Sequence, residues 1–208
     1  NFVTWKIPTL CSIILGSGWN TVGPSSAAGL VPIVPTSVAV GSGSASVGSS
    51  GLITATTVGT NLSINGAFSA TYRNYLMQYN LTTTANGANF GMRLRVGGAD
   101  NTSASYNMTG FDADSSSLVV RQDPAATSFT VMYAVDDDNA GNTANTHFFQ
   151  PFETKATTVN AQGLSPIATV LYRNIFGSHS GATSFDGFSF IINSGTITGT
   201  VMIYGYSI

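Results

Sequence analysis

Three carboxylates stand side by side in YAVDDDNAGN: Asp136, Asp137 and Asp138, with Asn139 and Asn142 close behind. Grouped oxygens are what Ca²⁺ takes, about six to eight at a time, so this loop is a candidate metal site. The spacing does not follow an EF-hand loop, and the competing reading is a solvated hairpin turn. Asp112 and Asp114 in GFDADSSS raise the same question on a smaller scale.

Catalytic sets are harder to assemble. Glycoside hydrolysis needs two carboxylates about 5–9 Å apart across a sugar. Glu153 is the chain's one glutamate, and its neighbour Lys155 points to a surface ion pair. A Ser-His-Asp site would have to use His147 or His179, yet no GxSxG turn presents a nucleophile. The glycine-rich GSGSASVGSSG lacks the lysine of a phosphate loop. Cys11 is the single cysteine, so it can form neither an internal disulfide nor a cysteine-based zinc site. The chain is expected not to be an enzyme and to use no cofactor.

Recognition is better served. Arg93 and Arg95 share one side of the strand NFGMRLRVGG, where planar guanidiniums suit the carboxylates of a neighbouring subunit. The alternative is a plain solvated face. Tyr106, Phe111 and Tyr172 are candidates for stacking on sugar rings, with core packing as the competing reading. The first segment, NFVTWKIPTLCSIILGSGWNTV, is too aromatic for a free linker, and Trp5, Ile13 and Trp19 are candidate interface residues.

The elements that position these residues are strands. In YRNYLMQYNL, Tyr75, Met77, Tyr79 and Leu81 alternate with Leu76, Gln78 and Asn80. In FGMRLRV the split is cleaner, with Phe90, Met92, Leu94 and Val96 opposite the two arginines. Period-two segments bounded by Gly, Ser and Asn recur to the end of the chain, where TITGTVMIYGY closes a sheet. Many short strands without helical periodicity predict an all-β, antiparallel, jelly-roll-like β-sandwich. Pro24, Pro32 and Pro35 disfavour helix and mark a connector. Residues 1–35 are therefore expected to form an extended N-terminal arm and 36–208 the sandwich. The chain starts at Asn1 and not at a methionine, so further residues are expected upstream.

Charge sets the partner class. Of the 208 residues 43% are hydrophobic and only 8% charged, against about 25% charged in an ordinary globular protein. No charged residue lies between Lys6 and Arg73. A net charge of −2 without a basic cluster argues against nucleic acid, and no apolar run has the roughly 18 residues of a membrane span. Hydroxyl and amide surfaces pack against copies of themselves with little charge to desolvate.

The order of GLVPIVPTSVAVGSGSASVGSSGLITATTV, SINGAFSATYRNYLMQYNLT, FGMRLRVGGADNTSASYN and SGTITGTVMIYGY, from about Gly29 to Tyr206, resembles a C-terminal module of tailed-bacteriophage structural proteins, the tail-fibre and minor tail proteins. The resemblance implies a sandwich in a homotrimeric virion appendage engaged in host attachment, with a host-surface glycan as partner. Residues 1–28 lie outside it and would serve as stalk, clasp or anchor to other virion proteins. An architectural role as capsid decoration, head fibre or baseplate component is the alternative, and a carbohydrate-binding domain of cellular origin is the third reading.

Overall fold

The structure is a computed structural model, and it describes residues 29–85, 88–132, 141–165 and 171–207. Trp5, Ile13, Trp19 and the Asp136–Asp138 loop lie outside the described residues. The described chain is all-β and antiparallel, as the alternation predicts. Its strands are β1 (Gly29–Pro32), β2 (Ser37–Val47), β3 (Ile53–Asn65), β4 (Asn74–Thr83), β5 (Phe90–Val96), β6 (Ala99–Asp100) and β7 (Tyr106–Ala113). There follow β8 (Leu118–Ala126), β9 (Phe129–Met132), β10 (Asn142–Phe149), β11 (Thr157–Ser165), β12 (Leu171–His179) and β13 (Gly187–Ser207).

The hydrogen-bonded path runs β2-β3-β13-β4-β10-β11-β12-β7-β8, with β5 branching from β13 and carrying β6 and β9. One strand makes this branching possible. The sequence suggests two strands in FDGFSFIIN and TITGTVMIYGY, but β13 is a single strand of 21 residues. Its first part, Gly187–Ile192, pairs with β5, and its last part, Ile197–Gly205, pairs with β4. Between them the register shifts at a bulge, Asn193–Gly195 are exposed, and Gly195 adopts a φ of 75°. A Cβ at Gly195 would come within 2.8 Å of Ala85 and Thr83, so glycine is required there on two counts.

The core fills the space between these two parts of the fold. Phe190 meets Tyr79 edge-on with ring centroids 5.0 Å apart, and Phe188 meets Phe148 at 5.5 Å. Phe68 closes one end against Tyr75 and Phe148, both at 4.9 Å. Each of these buried rings contributes on the order of 1.5–3 kcal/mol through area removed from water. Tyr75, Met77, Tyr79 and Leu81 all point inward, as their alternation requires.

One expectation changes. Residues 29–35 belong to the sandwich and not to an arm: β1 pairs with the end of β13, and the Ile33 N–H donates to the Ile203 carbonyl at 2.8 Å. Pro32 fits because β1 is an edge strand, where a missing N–H breaks no central ladder. His179, one of the two histidines open to a Ser-His-Asp site, is buried at the end of β12, its ring 4.7 Å from Tyr106 and 4.9 Å from Phe185.

Burial holds the His179 pKa below its ordinary value of 6.5. The folded state thus binds fewer protons than the unfolded chain. The resulting stability is complete above pH 6.5 and is lost as pH falls toward the lowered folded value. The melting temperature is expected to drop on acidification from neutral pH to about pH 5, and His179→Gln should flatten that drop relative to the parent chain.

Candidate functional site

The outward face of the long sheet, from β13 across β4, β10, β11 and β12 to β7, carries no Asp, Glu, Lys or Arg. Strand register arranges it in rungs that cross the strands. One rung is Met202, Gln78, Asn145, Gln162, Asn174 and Phe111, each paired with the next across one interstrand step. The adjacent rung is Thr200, Asn80, Thr143, Leu164 and Tyr172. Met202, Gln78, Asn145 and Gln162 of the first rung and all five residues of the second line a shallow concavity of about 580 Å³. Gln78 Nε2 donates to Asn145 Oδ1 at 3.2 Å, and Asn160 Nδ2 donates to Asn174 Oδ1 at 3.0 Å, so the amides orient one another.

At the β12–β7–β8 end the same face turns apolar. Leu118 and Val120 are each 69% exposed and Phe176 is 52% exposed. Phe111 and Tyr172 lie half-buried there with ring centroids 6.0 Å apart. At the other end Tyr206 stacks on His147, and its hydroxyl lies 2.8 Å from Nδ1.

The proposed contact aromatics therefore divide. Phe111 and Tyr172 stand together on the uncharged face. Tyr106 does not reach it: five positions before Phe111 on the same strand, it has the opposite parity and is fully buried. Its hydroxyl accepts from the Leu94 N–H at 3.0 Å and donates to the Asn101 carbonyl at 2.8 Å. Burial pushes its pKa up to about 12, against the lowering effect of the Leu94 bond. Tyr106→Phe removes the hydroxyl that accepts from that buried amide and should lower stability by about 1–2 kcal/mol in urea unfolding.

The two arginines divide as well. Arg93 is half-buried, and its Nε donates to the Thr127 carbonyl at 3.2 Å. Arg95 is not presented to a neighbour, being only 7% exposed. The β5–β6 hairpin folds over it, so that it pairs with Asp100 and the Gly98 carbonyl and donates to Ser63, Ser189 and Asn65 at 2.8–3.0 Å. Alternation showed its face correctly but could not show the lid.

Asp114, Glu153 and Asp112 have structural employment. Asp114 accepts from the backbone and hydroxyl groups of Ser116 and Ser117 at 2.7–3.0 Å, which takes its pKa down to about 2. Glu153 joins Lys155 at 3.0 Å and Arg73 at 2.9 Å in an exposed cluster. Asp112 receives Arg173 and Arg121 beside a second cleft of about 540 Å³. Burial alone would raise the Asp112 pKa, but the hydrogen bonds and charges of the two guanidiniums outweigh it and hold the carboxyl below its usual range.

Sequence reasoning missed Gln78, Asn80, Asn145 and Gln162 as a set. Gln78 and Asn80 are visible as the polar side of one strand, but their partners come from strands more than sixty residues away. Comparison with models of known protein families and with curated proteins gives no match.

Proposed function

We propose that this chain is a jelly-roll-like attachment module of a tailed-phage virion, a tail-fibre or receptor-binding piece acting as a homotrimer on a host-surface glycan. The observation that carries the reading is the broad sheet face without formal charge, amide-rich at its centre and aromatic at one end. Such a face contacts hydroxyl-rich or uncharged surfaces without stripping water from ions. Three copies on one appendage turn weak single contacts into durable attachment. The resemblance of residues 29–206 to phage structural modules supplies the biological setting.

A second reading, an architectural capsid-decoration, head-fibre or baseplate protein, is favoured by the exposed Leu118, Val120 and Phe176, which suit packing against another protein. Immunogold microscopy separates the two. Antibody raised against the chain should decorate the distal tail of purified particles from the source of the sequence. Uniform capsid labelling selects the architectural role, and unlabelled particles overturn both. Light scattering on the purified chain should give three times the 21.5 kDa mass; a single-copy mass would remove the trimer.

A further inference from the structure

We infer that the two amide rungs form a binding track for a neutral glycan chain running across the strands, from Met202 to Tyr172. This deepens the attachment reading and rests on it for the origin of the glycan, while the chemistry stands on the groove alone.

Length comes first. The track crosses five strands, β13, β4, β10, β11 and β12. Four interstrand steps of about 4.8 Å give roughly 19 Å, the span of a short oligosaccharide and not of a single sugar. The side chains along it are Gln78, Asn80, Asn145 and Gln162, all exposed. Each carboxamide offers two N–H donors and an acceptor oxygen. A sugar hydroxyl is likewise donor and acceptor, so every position on the track answers it without a fixed protonation state. The bond from Gln78 to Asn145 uses one donor of the first and one acceptor of the second, which leaves both able to take a further partner.

The end of the track supplies the second element of sugar recognition. Tyr172 and Phe111 form an apolar platform on which the C–H side of a pyranose can rest, and Leu164 adjoins Tyr172 on the same rung. Charge then decides the class of glycan. A uronate, sialate or sulfate would leave its charge without a cationic partner on a face that has neither Lys nor Arg. A neutral polymer meets no such penalty. A second copy of the chain is the competing occupant, and it fits the apolar end better than the amide centre.

Biolayer interferometry on immobilised dextran, mannan, galactan, xylan and alginate tests the proposal. At least one neutral polymer should bind the full chain, and the signal should persist in about 1 M NaCl, where exposed charges are screened within ~3 Å. Asn145→Ala combined with Gln162→Ala should weaken that binding about tenfold with an unchanged melting temperature, since both side chains are exposed. Tyr172→Ala should weaken it as well, whereas Val96→Thr, outside the track, should not. The proposal is overturned if no neutral polymer binds, if alginate is preferred, if salt abolishes the signal, or if the double variant binds like the parent. Its failure is distinct from that of the attachment reading: polymer binding without labelled virions keeps the track and removes the virion role, and labelled virions without polymer binding do the reverse.

Discussion

Asp112→Ala is expected to destabilise the fold by about 3–5 kcal/mol, the range seen when one partner of a buried ion pair is removed. Asp112 and Arg173 are directly opposed on β7 and β12, and both side chains are 3% exposed. Arg173 grips the carboxylate with two bonds, Nε to Oδ1 at 2.5 Å and Nη2 to Oδ2 at 2.6 Å. Arg121 adds a third at 2.7 Å from the edge strand β8. Without the carboxylate, two guanidiniums are left facing one another at the side of a cleft. Asp112→Asn keeps an acceptor but not the charge and should fall between the alanine variant and the parent chain. The combination Asp112→Leu with Arg173→Met should recover much of the loss, because a buried pair replaced by apolar groups of similar volume need not be missed. Urea unfolding at neutral pH measures all three. The lowered Asp112 pKa gives the same sign on titration: its contribution is present above the ordinary carboxylate value of 3.8 and is lost as pH falls below it.

Arg95→Ala should cost about 3 kcal/mol, and Arg95→Lys should restore little of it. The guanidinium bonds Ser63 at 2.9 Å, Ser189 at 2.8 Å and Asn65 at 3.0 Å while also pairing with Asp100. It therefore fastens the β5–β6 hairpin to β3 and β13 at once. Removing it strands Asp100, which retains only the Ser189 hydroxyl at 2.7 Å among these groups. An ammonium is a single point with three donors and cannot span the same fork of acceptors. Arg93→Ala, which gives up one bond to a carbonyl, should lose no more than about 1 kcal/mol. Because Arg95 is used up within its own chain, neither substitution should change the oligomeric mass of the folded protein. A change of mass with Arg95→Ala at native stability would return that residue to an interface.

These cases show what period-two reading gives and where it stops. Alternation assigns Phe90, Met92, Leu94 and Val96 to one side and both arginines to the other; the first three are buried, but Val96, where β5 turns into its hairpin, is 43% exposed. It cannot say that a turn at Gly97 and Gly98, each with positive φ, brings Asp100 back over one of those arginines. Parity also separates Tyr106 from Phe111, and Arg173 from Tyr172, once the strand limits are known. The uncharged face was legible as composition only. Its rungs depend on register between strands distant in sequence, such as Asn145 with Gln78 and Gln162, and local pattern holds no record of that. The continuity of β13 was hidden for a related reason: Asn193, Ser194 and Gly195 have the chemistry of a turn, but pairing on both sides makes them a bulge.

Hydroxyl-radical footprinting of the chain, free and saturated with the neutral polymer it binds, tests most directly whether the charge-free sheet face is the contact surface. Met202, Leu164, Tyr172 and Phe111 should lose reactivity on binding, while Val96 on the β5 side keeps its own. Unchanged labelling of those four residues, or protection centred on Val96, would contradict the account.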